Sequence, residues 1–333
     1  MIESDREIGM NGNPVHLYFH SPCFDGVVSA ALTSDYLEHV KGYRQVHLQP
    51  VNYHLRDSWL QTTLNRPCAV VDFLYQPLAE VWADHHATTF LNDAVRHDYE
   101  RRSHSEILYD RSASSCALLL WKYWHSVLPP HRASHYVSLI KWADRIDSAR
   151  YESVDEAIGL KAPALQINLA LAMYRGEAFS QHLAWLFRTE SLESVAMRPE
   201  VHTAFAVGLE LQQLGEKRLS DNIHLTDNGI AVYDVHADGV SVNRYAPFYF
   251  FPQARYSAGI IRSPGQSKLT VMRNPWIEFP SVALGDLCVS LGGGGHRRVG
   301  SVLVRDRDPA ELLDQLVRMI SAHEKKQKQM VTT

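Results

Sequence analysis

Four short segments of the chain carry side chains of the types that bind divalent metals. These side chains belong to His20, Cys23, Asp25, Asp72, Asp84, His85, His86, Asp144 and Asp147. Carboxylates and imidazoles together are ligands for Mn, Fe, Zn or Mg, and a set in which oxygen predominates favours Mn. Two such metals about 3.5–4 Å apart can activate a water and stabilise both oxygens of an in-line displacement at phosphorus. The residue types therefore indicate hydrolysis of a phosphate ester, if the fold brings the four segments together.

Each segment taken by itself also has a structural explanation. Asp25-Gly26 is a common turn sequence, and Asp72 could cap the segment that follows it. Asp144 and Asp147 have the i, i+3 spacing of a solvated helical pair. Only the order of the segments and their places in the fold support a functional site.

The elements that would position these segments begin with an α/β layer. Residues 15–20 (VHLYFH) predict a strand, and a helix follows from about Val27, after the loop SPCFDG. Further strands are predicted at 45–51 and at 68–73, where CAVVDF is the continuous apolar run of a buried parallel strand. Sites in open α/β sheets form at the carboxyl ends of the strands. The first two segments lie at strand ends and the third lies in the loop after the second, so the three can converge.

The remainder of the chain divides into a helical region and a β-rich region. Helices are predicted at 114–124 and 137–146, and residues 157–219 are helical and amphipathic. After Asn228, short β-rich runs lead to the glycine cluster LGGGGHRRVGS, and a final helix covers 309–325.

These elements predict an α/β protein of two domains, which agrees with the length of 333 residues. The N-terminal domain, residues 1–190, is expected to be a parallel sheet with helices on both faces. A helical linker at 191–228 would lead to a smaller α/β C-terminal domain at 229–325, and a disordered tail would follow at 326–333.

Composition narrows the class of protein. The chain has 33 Lys and Arg against 37 Asp and Glu, which excludes a protein held to nucleic acid mainly by bulk positive charge. No apolar run approaches the length of about 18 residues that spans a membrane, and the polar N-terminus MIESDREIGMNGNP is not a secretory signal. Four scattered cysteines indicate reduced thiols. A cytoplasmic protein without membrane contact is therefore predicted.

The order of the motifs adds a family resemblance. HSPCFDGVVSA, VVDF, ADHHATTF, WADRIDSA and GGGGHRRVGS, in this order, resemble the DHH phosphoesterases with a DHH-associated C-terminal domain. That superfamily includes RecJ-type nucleases, oligoribonucleases and cyclic dinucleotide phosphodiesterases. The resemblance spans residues 20–301, and it implies a catalytic DHH domain at 1–190 and a substrate-binding DHH-associated domain at 229–325.

The resemblance implies two divalent metal ions, with Mn²⁺ favoured over Zn²⁺, Fe²⁺ or Mg²⁺, and a water activated by both metals as the nucleophile. The residues implied as ligands of the first metal are His20, Cys23 and Asp72. Those implied for the second metal are Asp25, Asp72, His85 and Asp144. Asp84 would orient a histidine, and His86 would face the scissile phosphate or its leaving oxygen.

The same resemblance implies that the C-terminal domain grips the far end of the substrate. The residues implied are Gly293, Gly294, Gly295 and His296, with Arg273 and Arg297 as further phosphate contacts. Glycines let backbone N–H groups approach a phosphate closely, while a surface role is equally compatible with the two arginines. A nucleotide also calls for aromatic stacking groups, for which the candidates are Tyr245, Tyr249 and Trp276.

Two departures from the family pattern leave alternatives open. Cys23 stands where relatives have the first of two aspartates. A thiolate there would shift the preference toward Zn or Fe, whereas a Cys23 that does not ligate would leave the first metal weak or absent. The segment around Asp144 lacks the Thr-Asp-Thr-Gly context of many relatives, so Asp147 is a rival ligand, although the sequence separation from His85 favours Asp144.

Together these features predict a metal-dependent phosphoesterase that hydrolyses a phosphodiester or phosphomonoester of a small nucleotide. Short oligonucleotides, dinucleotides and 3′-phosphonucleotides are all compatible, and long nucleic acid is not expected as the main substrate. The alternatives are a phosphoanhydride hydrolase acting on polyphosphate or pyrophosphate, and a non-catalytic nucleotide-binding regulatory protein with a degenerate metal site. Many relatives are dimers, so a homodimer is compatible with the sequence.

Overall fold

A computed structural model describes residues 14–174 and 176–331, with side chains up to Glu324. Its described residues form two compact units. The first unit extends to Arg150 and also includes Lys161–Ala206, and the second comprises Tyr151–Leu160 and the chain from Val207 onward. The segment 191–228, assigned to a linker by the sequence analysis, therefore contributes residues to both units.

The elements of the N-terminal part alternate between strands and helices. In chain order they are β1 (Val15–His20), α1 (Phe24–His39), β2 (Val46–Val51), a 3₁₀ helix (Tyr53–Gln61), β3 (Cys68–Val71), β4 (Val81–Asp84), α2 (Asp93–Arg101), β5 (Ile107–Tyr109), α3 (Cys116–Trp124), α4 (Pro130–Asp147), α5 (Val154–Gly159), α6 (Pro163–Met173), α7 (Glu177–Leu186), α8 (Leu192–Ala196) and α9 (Pro199–Ser220).

The first unit is built on a five-stranded parallel sheet in the order β2-β1-β3-β4-β5. Successive residues of β1 face different cores: Leu17 packs with α1, α3 and α4, whereas Tyr18 packs with the aromatic side chains on the opposite face. Because both faces of the sheet are buried at its centre, β3 is a continuous apolar run, whereas the edge strand β2 is half-buried and includes polar residues. The predicted parallel sheet with helices on both faces is confirmed.

One strand of this sheet was missed by the sequence analysis. The sequence predicts a short helical or irregular connection at 76–81, with Trp82 and Ala83 leading into Asp84, but Val81–Asp84 is the fully buried strand β4, and Val81 pairs with Ala69 of β3. The Asp-His-His segment therefore begins on a strand of its own rather than in a loop. A four-residue strand is too short to show a periodicity in the sequence.

The second unit is built on a six-stranded mixed sheet, and two helices pack on it. Its elements are β6 (Ile223–Leu225), β7 (Ile230–His236), α10 (Ala246–Phe250), β8 (Tyr256–Ser263), β9 (Gln266–Arg273), α11 (Leu284–Ser290), β10 (Gly294–His296), β11 (Val299–Val304) and α12 (Pro309–Val331). The strand order is β10-β11-β9-β8-β7-β6, and α11 and α12 pack on one apolar core with it. Helix α12 extends past residue 325, where the sequence analysis ended it. None of the helices in the described part of the chain combines the length and apolar character needed to cross a bilayer.

A buried ion-pair network joins the helices of the first unit. Asp35, on α1, is fully buried, and its carboxylate accepts a hydrogen bond from Arg188 Nε at 2.7 Å. Arg132 of α4 approaches the same carboxylate at 3.6 Å, and Arg188 also pairs with Glu38. The network fixes α1 relative to α4, and these two helices carry Asp25 and Asp147.

Removing Arg188 should destabilise the first unit strongly, since it leaves a buried carboxylate with one partner fewer. We expect Arg188→Ala to lower the free energy of unfolding by about 3 kcal/mol or more, measured by urea denaturation. The matched control is Arg198→Ala, which breaks the more exposed pair with Glu190 and should leave the midpoint near that of the wild type. Equal losses for the two variants would contradict the assignment.

Candidate metal centre

Three adjacent strands end at the same edge of the first sheet. β1 pairs with β3 and β3 with β4, so the carboxyl ends of the three strands lie side by side. His20 ends β1, Asp72 directly follows β3, and Asp84 ends β4. The strand order thus converts three distant sequence segments into one cluster, as the sequence analysis expected.

Three overlapping groups of potential ligand atoms share this edge, and one of them consists of Asp72, Asp84, His85 and His86. His20, Cys23 and Asp72 form a second group whose ligand atoms lie within 4.8 Å of one another, and Asp25, His85 and Asp147 form a third. His20 Nδ1 is 3.4 Å from Asp72 Oδ2. His85 Nε2 lies 3.3 Å from Asp147 Oδ2, 3.7 Å from Asp72 Oδ1 and 3.9 Å from Asp25 Oδ2. The Asp72 carboxylate therefore borders all three groups.

Asp72 occupies an unusual backbone conformation at the centre of the cluster. Its φ is +56°, in the left-handed region that costs a non-glycine residue about 1 kcal/mol or more. The surrounding sheet holds this conformation, because the Asp72 N–H donates to the Ala83 carbonyl at 2.9 Å. The side chain is 1% exposed, and neither carboxylate oxygen has a hydrogen-bond partner among the described residues.

Gly26 allows the start of α1 to approach this edge. A Cβ at this position would lie 2.1 Å from the His20 carbonyl oxygen and 3.1 Å from Asp72 Oδ2. Any side chain would therefore push α1 away from β1 and from the cluster. The glycine of the Asp-Gly sequence is required by packing, not by a turn.

Asp25 is oriented by the start of another helix. Its carboxylate accepts hydrogen bonds from the backbone N–H groups of Cys116 at 2.7 Å and Ala117 at 2.9 Å, in the first turn of α3. These donors and the helix dipole stabilise negative charge. The contact fixes the carboxylate beside His85.

The ring orientation of His85 is set by a backbone carbonyl. Its Nδ1 lies 3.1 Å from the Ala113 carbonyl oxygen, which can only accept, so Nδ1 carries the proton. Nε2 then presents its lone pair to the three surrounding carboxylates. A histidine that donates from one ring nitrogen and binds metal through the other is the common arrangement at metal sites.

His86 is held by Asp84 rather than by the carboxylate cluster. Its Nδ1 is 2.7 Å from Asp84 Oδ1, and the same oxygen accepts from the backbone N–H of His85 at 2.8 Å. Burial lowers the pKa of His86, but the hydrogen bond and the charges of Asp84 and Asp72 outweigh it and raise the pKa to about 10. The arrangement leaves Nε2 of His86 as the ring nitrogen away from Asp84.

The buried environment of the cluster disfavours the ionised forms of its acidic side chains. Burial raises the pKa values of Asp25 and Asp72 well above their usual range, and each is further raised by a neighbouring aspartate. Burial also raises the pKa of the Cys23 thiol, with Asp72 and Asp25 adding to the shift. Burial lowers the pKa of His20 to about 4, so its ring is neutral at neutral pH. His86 is the one protonated side chain that the preceding contacts place beside these carboxylates, and a divalent cation would supply the further positive charge that stabilises their ionised forms.

The residues present fit a divalent metal. Several buried atoms of the cluster have no hydrogen-bond partner among the described residues: His20 Nδ1, His85 Nε2, and both Oδ1 and Oδ2 of Asp72. Buried polar atoms are nearly always satisfied in folded proteins, so a concentration of exceptions calls for an explanation. All of these atoms have lone pairs that can bind a cation, and oxygen and nitrogen are suitable donors for Mn or Zn.

The structure brings Asp147 into the cluster in place of Asp144, which the sequence analysis preferred. The Asp144 carboxylate accepts from Arg150 at 2.7 Å and from the Ser114 hydroxyl. Asp147 lies three residues further along α4, close to His85 Nε2. Sequence separation could not distinguish two residues on the same side of one helix, because their positions differ mainly by a turn along its axis.

The glycine motif of the second unit has a structural requirement at two positions. A Cβ on Gly293 would lie 2.2 Å from the Ser301 carbonyl oxygen, and one on Gly295, at φ +154°, would lie 2.3 Å from that of Val299. Gly294 has open space around it. His296 is exposed and follows directly.

The two arginines predicted to contact phosphate differ in environment. Arg297 is exposed. Arg273 is 4% exposed, donates to the carbonyl oxygens of Asn274 and Phe279, and stacks on the Phe279 ring. Its guanidinium therefore holds the loop after β9, and a contact between Arg273 and phosphate stays a prediction.

Tyr53 was missed by the sequence analysis. It begins the 3₁₀ helix after β2, and its ring lies 4.9 Å from that of His20 and 6.3 Å from that of His86. Burial and then the charges of Asp84 and Asp72 raise the pKa of its hydroxyl. The only signal in the sequence was an aromatic residue directly after a predicted strand end.

The difference between Asp144 and Asp147 can be tested by metal binding. We expect Asp147→Asn to weaken Mn²⁺ binding by at least about tenfold, because it removes a charged oxygen from the cluster. Asp144→Asn is the matched control and should keep an affinity near that of the wild type. The measurement is the Mn²⁺-dependent rise in melting temperature, relative to each variant in chelator. A larger loss for Asp144→Asn would reverse the assignment.

Comparisons with known proteins rest on fold. No protein-family model and no curated protein matches the sequence. Among solved structures, the pGpG-specific phosphodiesterase PggH of Vibrio cholerae gives a TM-score of 0.71 at 16% identity, over 92% of this chain and 99% of that one. A DHH-domain structure described as a member of the s1p family of ribosomal proteins gives 0.61 at 14% identity, over 93% of this chain and 87% of that one.

RecJ from Thermus thermophilus, solved in complex with Mn²⁺, gives a TM-score of 0.52 at 14% identity over 95% of this chain. The matched region is 52% of RecJ, so the chain corresponds to about half of that enzyme. Identities this low show the fold alone. The parallel sheet with its strand-end cluster and the matched structures agree with the motif order, and the chain has the fold of the DHH phosphoesterases.

Proposed function

We propose that this protein is a metal-dependent phosphoesterase that hydrolyses a phosphodiester of a small nucleotide. The observation that carries the proposal is the set of buried donor atoms without partners around Asp72. These atoms belong to His20, Asp72 and His85, which lie at or directly after the ends of β1, β3 and β4, so three strands contribute to one candidate cation-binding cluster. No purely structural role explains why both oxygens of a buried carboxylate lack donors.

The cluster would hold two cations that share Asp72. The residues of the first position would be His20, Cys23 and Asp72, and those of the second Asp25, Asp72, His85 and Asp147. Two divalent cations would supply the positive charge that lowers the pKa of a water and stabilises phosphoryl oxygens. The ligands are oriented in advance, since α3 holds Asp25 and Ala113 holds His85.

His86 would act on the substrate rather than on a cation. Asp84 fixes its Nδ1, and the Tyr109 hydroxyl donates to its backbone carbonyl at 3.2 Å. A ring held at one nitrogen and at its backbone can present Nε2 to a phosphoryl or leaving-group oxygen in one orientation. Its role would be to donate a hydrogen bond or proton to that oxygen.

A small nucleotide is the substrate class that the observations favour. The net charge of −4 provides no general attraction for long nucleic acid. The fold matches nearly the whole length of a phosphodiesterase that is specific for pGpG. The exposed side chains of His296 and Arg297, beside the open Gly294, would be available to contact a phosphate group.

A substrate panel tests the proposal. With Mn²⁺, we expect release of mononucleotides from pGpG or pApA, followed by chromatography, at rates well above those for a long single strand. Asp72→Asn should lose turnover to background, because it removes the shared ligand, while its circular dichroism spectrum should match that of the wild type. Hydrolysis of pyrophosphate or tripolyphosphate alone would mean that the enzyme cleaves a phosphoanhydride rather than a phosphate ester. Nucleotide binding without hydrolysis of any compound would indicate a regulatory protein.

His86 offers a test of the division between ligands and substrate-contacting groups. We expect His86→Gln to lower kcat by about 100-fold or more, with metal content unchanged, because the ring is not needed to hold a cation. Elemental analysis and steady-state kinetics on the same preparation would measure both quantities. Loss of a metal ion from His86→Gln would instead make His86 a ligand.

A further inference from the structure

The two halves of the cluster differ in donor chemistry. One half, His20, Cys23 and Asp72, offers a nitrogen, a sulfur and an oxygen within 4.8 Å of one another. Around His85 Nε2, the other half offers oxygens of Asp25, Asp72 and Asp147 at 3.3 to 3.9 Å. Thiolate ligands favour Zn or Fe, whereas carboxylate oxygens favour Mn or Mg.

The position of Cys23 leaves its sulfur available to this half. Cys23 precedes α1, and its backbone carbonyl accepts from the Val27 N–H at 3.0 Å, but its side chain makes no capping hydrogen bond. The neighbouring His20 Nδ1 and both oxygens of Asp72, itself 1% exposed, have no hydrogen-bond partner among the described residues. Unsatisfied donor atoms therefore surround the sulfur.

The other three cysteines are buried and belong to none of the groups of potential metal ligands among the described residues. Cys68 and Cys116 are buried, and their sulfurs approach the carbonyl oxygens of Leu78 at 3.5 Å and Ala83 at 3.4 Å. Cys288 is buried in the core of the second unit. Cys23 differs from all three because it is partly exposed and belongs to a group of potential metal ligands.

We propose that the centre is heterometallic, with Cys23 as a thiolate ligand that selects Zn²⁺ or Fe²⁺ for the half containing His20. The half containing Asp25, His85 and Asp147 takes Mn²⁺ or Mg²⁺. This inference rests on the proposed function, because Asp72 is shared between the halves. When the sulfur–metal bond forms, the thiol proton leaves to solvent, and no oxidation takes place.

The test uses the full-length protein loaded with Co²⁺, which reports sulfur ligation without a turnover assay. A thiolate-to-Co²⁺ charge-transfer band is expected in the near ultraviolet for the wild type and is expected to disappear in Cys23→Ser. Cys116→Ser is the matched control, because it changes a nearby cysteine whose sulfur contacts Ala83, and it should keep the band. Cys23→Asp should bind Co²⁺ with no such band, which removes misfolding as an explanation.

Elemental analysis gives a second, independent readout. Wild-type protein incubated with one equivalent of Zn²⁺ per chain and an excess of Mn²⁺ should retain about one of each, and Cys23→Asp should retain less Zn²⁺ and more Mn²⁺. Co²⁺ binding without a charge-transfer band, or two Mn²⁺ per wild-type chain, would overturn the inference and leave the proposed phosphoesterase standing. Failure of the wild type to bind any divalent metal would overturn both the heterometallic centre and the proposed metal-dependent phosphoesterase.

Discussion

Three buried carboxylates meet at one edge of the first sheet, and the protein stabilises only two of them with its own donors. Asp25 accepts two backbone N–H groups from the start of α3, and Asp84 accepts from the chain that follows it and from His86. Asp72 has no donor among the described residues for either oxygen. Burial raises the pKa of Asp72 well above its usual range, so a nearby cation would be needed to stabilise its ionised form. The close approach at Gly26 and the left-handed backbone of Asp72 place the carboxylate at this edge.

The part of the fold that the sequence predicted is the part where local pattern and buried environment agree. β1 and β3 are continuous apolar runs, because their sheet is covered on both faces, and each ends at a polar residue of the site. β4 was missed because Val81–Asp84 is only four residues long. Its pairing with β3 is a tertiary contact, and the local periodicity of the sequence does not reveal such contacts. The Asp-His-His segment was still located correctly at this edge, since residues after β3 return to the same end of the sheet.

Two candidate site residues, Asp144 and Arg273, have contacts that residue type and motif spacing do not predict. Asp144 and Asp147 are equivalent by residue type, and Arg150 and Ser114 determine that Asp144 is engaged elsewhere. Arg273 resembled a phosphate ligand at a strand end, yet the carbonyl groups of the following loop use its guanidinium. In both cases an arginine contact, not the spacing of a motif, assigns the role. Such contacts become visible only when the chain is folded.

As a thiolate ligand, Cys23 would preserve the charge of the site while it changed the donor chemistry. Where the related motif has aspartate, a carboxylate would contribute one negative charge to the half containing His20. A thiolate contributes the same charge, so with Asp25, Asp72 and Asp147 the ligands would still balance two divalent cations. What differs is polarisability, since sulfur forms stronger bonds to Zn or Fe than to Mn. A cysteine in place of aspartate would therefore alter which metal is held, while the negative charge that attracts a metal would remain. Such a ligand role would explain why three buried atoms beside the cysteine, His20 Nδ1 and both oxygens of Asp72, have no hydrogen-bond partner among the described residues.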